Sequence, residues 1–441
     1  MIEYFLKKVP KKLDYYNSLL SNSYKDILKL SSGAATSQLI AITTLPIVTR
    51  LYGPENFGIL GVFISLISVL SIFSTLSLEL AVVVPKKKSE SLNLVFLVII
   101  LSLISCVIYF IIGLIFKENL FTDSGISIVK PFMLYLPVAI FILGIHEAFQ
   151  ALLIKKQQFG FISKIIVQQR LIAVTVNLLF YQFGALGFIL GYLISQVLGL
   201  LRMIIKSSND FMNYGKISLN KLTTTFLKYK NFALFTTPAC LINSLSKQLP
   251  NLIFASYFGP KTFGLLILSE KLLQLPLNLI SDPVGKVFQS KAPIKFREGN
   301  LFDFITRIVL RLFIYGLIIS TILIFVISPL MPLVFGDEWS EIKKILPIMI
   351  PIFISTFVVT PLSTTFISIK KNNFGLFSQI LQLFTRLTPL LIGLKFFDLS
   401  FIQSLSIYST SFFIGQSFYI LIIYFAINKK KFMSFFKEDI I

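Results

Sequence analysis

The chain has 441 residues, 55% of them apolar and only 14% charged, with a mean hydropathy of +0.83. Too few polar side chains exist to clothe a water-soluble globule, and long Leu, Ile, Phe and Val runs recur from residue 31 to residue 427. The formal charge of +21 gathers in short loops between those runs, as in Pro85-Lys86-Lys87-Lys88, Lys155-Lys156, Lys370-Lys371 and Lys429-Lys430-Lys431, a placement that orients helices against an anionic leaflet and argues against a nucleic-acid partner.

The first thirty residues are polar and lysine-bearing, with no cleavable signal pattern, and read as a cytoplasmic segment, 1–30. A spanning helix needs about 20 apolar residues, which predicts a first set of helices at 31–51, 57–82, 92–116, 132–153, 164–181 and 184–204. Residues 206–230, polar again, read as a cytoplasmic linker. A second set is predicted at 231–258, 262–284, 304–328, 345–369, 375–395 and 399–427, before a tail at 429–441. The fold class is therefore all-α integral membrane, about twelve transmembrane helices in two six-helix lobes, 31–205 and 231–428. The lysine-rich loops fall on one side of such a bundle, and the sparse Lys117, Lys130, Lys261, Lys343, Lys344 and Lys395 on the other, so the positive-inside rule places both termini in the cytoplasm.

Leu51-Tyr52-Gly53-Pro54-Glu55-Asn56-Phe57-Gly58-Ile59-Leu60 recurs 206 residues later as Tyr257-Phe258-Gly259-Pro260-Lys261-Thr262-Phe263-Gly264-Leu265-Leu266, with five identities. Glycine relaxes the backbone and proline stops the preceding helix, as a tight outer turn requires. The same hairpin opening each set of six favours lobes related by an axis along the membrane normal.

Cys106 and Cys240 lie within apolar runs and offer neither a disulfide framework nor a metal spacing. No phosphate-binding glycine loop occurs, and a single histidine argues against metal hydrolysis, so no cofactor, no metal and no catalytic residue are expected. The informative residues are ionisable groups at membrane depth, each costing about 2.5–3.5 kcal/mol or more at a helix centre. Lys247 shares one helical face with Ser244, Gln248 and Asn251. Glu270, Gln274 and Asn278 repeat every fourth residue, beside Lys271. Gln379, Gln382 and Arg386 form a third stripe. In the first half, His146, Glu147 and Gln150 make a patch, and Arg170 with Asn177 another. Structural readings stand beside these: Glu270 pairing with Lys247 or Lys271, Arg50, Glu79 and Arg170 snorkelling to headgroups, His146 packed as a neutral residue, and polar stripes joining helices.

The segment Thr49-Arg50-Leu51-Tyr52-Gly53-Pro54-Glu55-Asn56-Phe57-Gly58 through Leu78-Glu79-Leu80-Ala81-Val82-Val83-Val84-Pro85 resembles the opening of bacterial polysaccharide biosynthesis proteins of the O-antigen flippase type. Gln248-Leu249-Pro250, Phe258-Gly259-Pro260, Leu275-Pro276-Leu277, Val284-Gly285-Lys286-Val287-Phe288-Gln289, Phe335-Gly336-Asp337-Glu338-Trp339 and Thr360-Pro361-Leu362-Ser363 resemble its second half. An arginine is common there just before the glutamate of the second helix, where this chain reads Leu76-Ser77-Leu78-Glu79. The resemblance covers roughly residues 28–427. It implies a fold similar to multidrug and toxin extrusion transporters and alternating access between lobes in the bacterial inner membrane. It also implies a polyprenyl-diphosphate-linked oligosaccharide as cargo, surface polysaccharide synthesis as the pathway, and the polymerase of that pathway as a partner. On this reading Lys247, Lys271 and Arg386 attract the diphosphate, Gln248, Asn251, Gln274 and Asn278 contact sugars, and Arg50 is a further substrate-binding candidate. Glu270 and Glu147 are the candidates for coupling to an H+ or Na+ gradient. A multidrug exporter of the same fold is the alternative, and a glycan-polymerising enzyme or a scaffold stands further off.

Overall fold

A computed structural model gives the structure, which describes residues 2–115, 125–212, 218–369 and 371–427, with side chains from Ser32 onward except at 125, 126, 128, 367 and 372. The expected tail at 429–441, Lys117 and Lys370 lie outside these residues, as do the side chains of the N-terminal segment. Every regular element among them is helical. In chain order these are α1 (Ile2–Thr75), α2 (Leu78–Ala81), α3 (Lys88–Ile115), α4 (Tyr135–Lys155), α5 (Phe159–Leu179), α6 (Ala185–Met212), α7 (Leu219–Asn231) and α8 (Thr237–Pro276). There follow α9 (Asp282–Arg297), α10 (Leu301–Ile322), α11 (Ser328–Phe335), α12 (Ile342–Val359), α13 (Thr365–Ser368), α14 (Asn372–Phe397) and α15 (Phe401–Ile427).

Among the described residues ten stretches are long and apolar enough to cross a membrane. Two of them are broken by glycine, at Gly53 in α1 (φ 64°, ψ 172°) and at Gly259 in α8 (φ 77°, ψ 170°), so that each supplies two segments of spanning length. The twelve-helix expectation thus meets ten stretches, two of them double. Large apolar side chains point outward, among them Leu103, Val107, Ile111 and Ile115 on α3 and Leu310, Ile314, Leu317 and Ile318 on α10. Apolar groups exposed over whole helix faces have no aqueous solution that tolerates them, and hydrocarbon is the solvent that does.

The chain packs as two compact units. One comprises Met1–Val48, Phe73–Ile111 and Pro137–Phe235, the other Thr49–Ile72, Ile112–Leu136 and Thr236–Ile441. The first is built on a core of Leu78, Val82, Leu92, Val95, Phe149, Leu152, Ile162 and Met203. In the second, α15 packs on α12 and α14, and a core of Phe288, Leu301, Ile305, Leu362, Phe366 and Ile423 fills the space between α9, α10 and α15.

Local breaks have identifiable causes. Three π-helical turns, at Phe232–Thr236, Leu277–Ser281 and Leu323–Ile327, each run into a helix whose second residue is proline: Pro238, Pro283 and Pro329. Proline lacks the N–H and collides with the carbonyl four residues back, which in all three cases lies in the widened turn. The second helix, expected to reach residue 82, ends at Thr75. Leu76 and Ser77 take left-handed backbone (φ 50° and 53°), and Glu79 falls in the separate turn of α2. Leu78 and Ser77 are both buried there, so packing holds a conformation that local preference disfavours.

Candidate functional site

In the second unit the two copies of the sequence repeat meet each other. A Cβ added to Gly58 would collide with the backbone carbonyl of Pro260, and one added to Gly264 with that of Pro54. Each contact is the other shifted by the repeat offset, so the crossing is reciprocal, as across a two-fold axis. Phe57 and Phe263, the partners of those glycines in each copy, are 2% and 0% exposed. The crossing is fastened to the 333–339 region. Trp339 Nε1 donates to Thr49 O at 3.2 Å, and its ring meets Phe57 edge-on at 5.1 Å. Arg50 donates to Val334 O at 3.2 Å and to Leu333 O at 2.5 Å, capping the carbonyl end of α11 with a positive charge.

Deeper in this unit, α14 lies against α8 and α15 and carries Arg386, which is 6% exposed. Its guanidinium donates to Ser246 Oγ at 3.1 Å and to Gln382 Oε1 at 2.9 Å, and lies 4.1 Å from the Phe412 ring centroid. All these partners are neutral. No carboxylate lies at ion-pair distance from Arg386 among the described residues. Lys247 stands within electrostatic reach of Arg386 and adds a second positive charge. Glu270 accepts a hydrogen bond from Asn251, and Tyr408 lies within reach of both Glu270 and Arg386.

The structure therefore brings Lys247 and Arg386 together, and joins Asn251, Glu270 and Tyr408 to them. Gln248 is half-buried on α8, while Gln274 and Asn278 are exposed further along the chain. Lys271 departs from the set: its ammonium lies 5.1 Å from the Phe57 ring, at the repeat crossing. Arg50 belongs to that crossing too, through its bonds to α11. Tyr408, Phe412 and Gln416, spaced four apart on α15, were not singled out from sequence. Gln416 is 6% exposed and its Oε1 has no hydrogen-bond partner among the described residues, and the fourfold spacing was the available signal.

In the first unit His146 is 8% exposed and lies 3.0 Å from Gln169 Nε2, which also donates to Gln196 Oε1 at 3.0 Å. Glu147 is exposed on its helix within electrostatic reach of Glu79 and Tyr192. Burial pushes the Glu79 carboxyl above the ordinary carboxylate range, partly offset by a hydrogen bond from Thr75. Arg170 donates to Ser37 Oγ at 3.4 Å.

The lysine loops of this unit meet at one end. Lys155 Nζ donates to Pro85 O at 2.5 Å and to Ser91 Oγ, and Asp210 pairs with both Lys88 and Lys156. Lys228 pairs with Glu90 at 2.7 Å, and Tyr229 donates to the same carboxylate at 3.0 Å. Loops expected on one membrane face from their charge alone are thus joined by direct contacts.

Residues 47–344 match the family model described as polysaccharide biosynthesis protein. Among curated proteins none matches in sequence. Of the solved structures, the inward closed conformation of the lipid II flippase MurJ aligns with a TM-score of 0.70 at 16% identity, covering 92% of this chain and 89% of that one. An inward-facing multidrug resistance MATE family transporter of the MOP superfamily aligns at 0.69 and 15%, covering 90% and 94%. A MOP superfamily transporter from Pyrococcus furiosus aligns at 0.57 and 15%, covering 91% and 95%. At these identities the likeness establishes the fold.

Proposed function

The chain belongs to the polysaccharide biosynthesis protein family, and from that premise we propose that it flips polyprenyl-diphosphate-linked oligosaccharide repeat units from the cytoplasmic to the outer leaflet of a bacterial inner membrane, for O-antigen, capsule or exopolysaccharide synthesis. It does so as a transporter and not as an enzyme. The six-helix lobes 31–205 and 231–428 alternate access, with 206–230 linking them and both termini cytoplasmic. The lipid II flippase among its structural neighbours also carries a lipid-linked cargo, which favours this class of substrate.

Unaided flipping fails on energetics. Each unpaired sugar hydroxyl costs about 4–8 kcal/mol in hydrocarbon, and a diphosphate far more. The single observation that carries the reading is Arg386: a buried guanidinium whose hydrogen bonds go to Ser246 and Gln382, leaving its charge uncompensated, with Lys247 beside it. A cation at membrane depth is costly to keep and needs a reason, and an anionic headgroup supplies one. In this reading Lys247 and Arg386 attract the diphosphate, with Lys271 and Arg50 placed at the repeat crossing. Gln248, Asn251, Gln274 and Asn278 offer hydrogen bonds to sugars. Glu270 and Glu147 are the groups for an H+ or Na+ gradient, each proton or ion drawing about 2.3 kcal/mol per 100 mV. A drug-cation exporter of the same fold would want carboxylates where Lys247 and Arg386 stand.

The test is reconstitution into vesicles with defined lipid-linked oligosaccharides, measuring headgroup appearance on the opposite leaflet against efflux of a lipophilic cation. Transfer of the glycolipid with no cation efflux is expected. Cation efflux without glycolipid transfer would overturn the assignment.

A further inference from the structure

At the lysine-rich end of the first unit lies a cavity of about 540 Å³, walled by the start of α3, Asp210 near the end of α6 and one face of α7 from Lys221 to Lys228. Its lining includes Lys87, Lys88, Lys221 and Lys228, set against two carboxylates, Glu90 and Asp210. Both carboxylates are already engaged, Glu90 by Lys228 and Tyr229, and Asp210 by Lys88 and Lys156. Lys87 and Lys221 have no carboxylate at ion-pair distance among the described residues. The lining therefore carries two positive charges in excess, on two identifiable side chains.

The composition of α7 suits a place at a membrane surface. Leu222, Thr225 and Tyr229 turn one face of α7 into the unit, where Asn93 Nδ2 donates to Thr225 Oγ1 at 3.1 Å. Leu219 and Leu227 remain 77% and 62% exposed beside exposed Lys221, Lys228 and Lys230. Exposed leucines among lysines on one helix suit the boundary between headgroups and acyl chains. α7 then passes through the π-turn Phe232–Thr236 directly into α8.

We infer that this cavity binds the headgroup of a membrane lipid bearing two phosphate charges, held chiefly by Lys87 and Lys221. Two negative charges match the excess. A single phosphodiester leaves one lysine uncompensated, and a soluble diphosphate has no hydrocarbon chain to anchor it in an adjoining bilayer. Two lipids have this chemistry: a polyprenyl diphosphate, for which the cavity is a first docking point ahead of the interior cations, and a resident bisphosphate phospholipid such as cardiolipin. The former identification rests on the transport reading given above.

The test is binding to the full-length protein in nanodiscs, comparing polyprenyl diphosphate, cardiolipin, phosphatidylglycerol and inorganic diphosphate on wild type, on Lys87→Gln/Lys221→Gln and on Lys87→Arg/Lys221→Arg. The glutamine variant is expected to lose roughly thirtyfold in affinity for at least one two-phosphate lipid, the combined effect of two lysines at a membrane surface, and only about fivefold for phosphatidylglycerol, which engages one of them. The arginine variant retains binding, which shows that the fold survives. Which lipid loses affinity identifies the source. Unchanged binding of both two-phosphate lipids in the glutamine variant, an equal loss for phosphatidylglycerol, or inorganic diphosphate binding as tightly as the lipids would overturn the site. Wild-type flipping accompanied by any of these removes the site alone. Absence of wild-type flipping with the site intact removes the transport reading and leaves the lipid site standing.

Discussion

Arg386 and Glu79 show how differently two charged side chains are accommodated in one helical chain. Arg386 keeps its charge because Ser246 and Gln382 satisfy its donors and Phe412 offers a ring face, an arrangement that suits a planar guanidinium and not an ammonium. Glu79 has no cation at ion-pair distance among the described residues, and Glu147 lies within its electrostatic reach. Burial raises its pKa, so the folded protein binds this proton more tightly than the unfolded chain does. The sign follows: stability rises as the pH falls from neutrality through the raised pKa towards the ordinary carboxylate range near about 4.3, and is lost as the pH climbs back. Glu79→Gln is expected to melt above wild type at neutral pH, with the gap closing as the pH falls. Melting curves in detergent across that range check this, and a gap independent of pH would contradict it.

Among the elements, the repeat hairpins carry the clearest steric demand. Gly58 and Gly264 stand where a Cβ meets a backbone carbonyl, which cannot swing aside as a side chain can. Gly58→Ala and Gly264→Ala should each cost about 1–3 kcal/mol by overpacking. Gly113→Ala, with nothing within 4 Å, should be neutral or slightly stabilising in its helix. Thermal unfolding of the three variants decides, and equal melting temperatures would mean that the crossing yields. The hairpins were legible in the sequence because glycine and proline are backbone instructions, read locally, and both predicted turns carry the positive φ that glycine permits. The spans were legible because hydrocarbon thickness fixes their length. The left-handed break at Leu76 and Ser77 was not, since no glycine marks it and buried neighbours impose it. Nor could sequence show that Arg50 reaches carbonyls more than 280 residues away, or that Lys271 turns to Phe57 while Lys247 faces Arg386. Such destinations depend on which helices pack together, and periodicity fixes only a residue's face. Lys87 and Lys221 were likewise legible as orienting charge but not as two walls of one cavity.

For the whole molecule, membrane orientation and interior charge act together. The loops tied to one another through Lys155, Asp210 and Lys228 are those whose lysines predict a cytoplasmic face, whereas Lys261 sits in the second repeat hairpin. Single cysteines at positions 87 and 261, in a background lacking Cys106 and Cys240, are expected to differ: position 261 labels with an impermeant maleimide in intact cells, position 87 only after permeabilisation. The reverse pattern would invert the direction of transport. Across that oriented frame, the proposed function makes Arg386 and Lys247 the groups for which a bulky acidic headgroup would exchange water. The most direct measurement is the rate of lipid-linked oligosaccharide transfer in vesicles for wild type and for Lys247→Glu/Arg386→Glu, with insertion and folding verified for both. A fall of at least about a hundredfold is expected, since reversing two charges, one on buried Arg386 and one on the more exposed Lys247, turns attraction into repulsion worth several kcal/mol. A folded double variant that transfers the substrate at the wild-type rate would contradict the proposal that these cations carry the cargo.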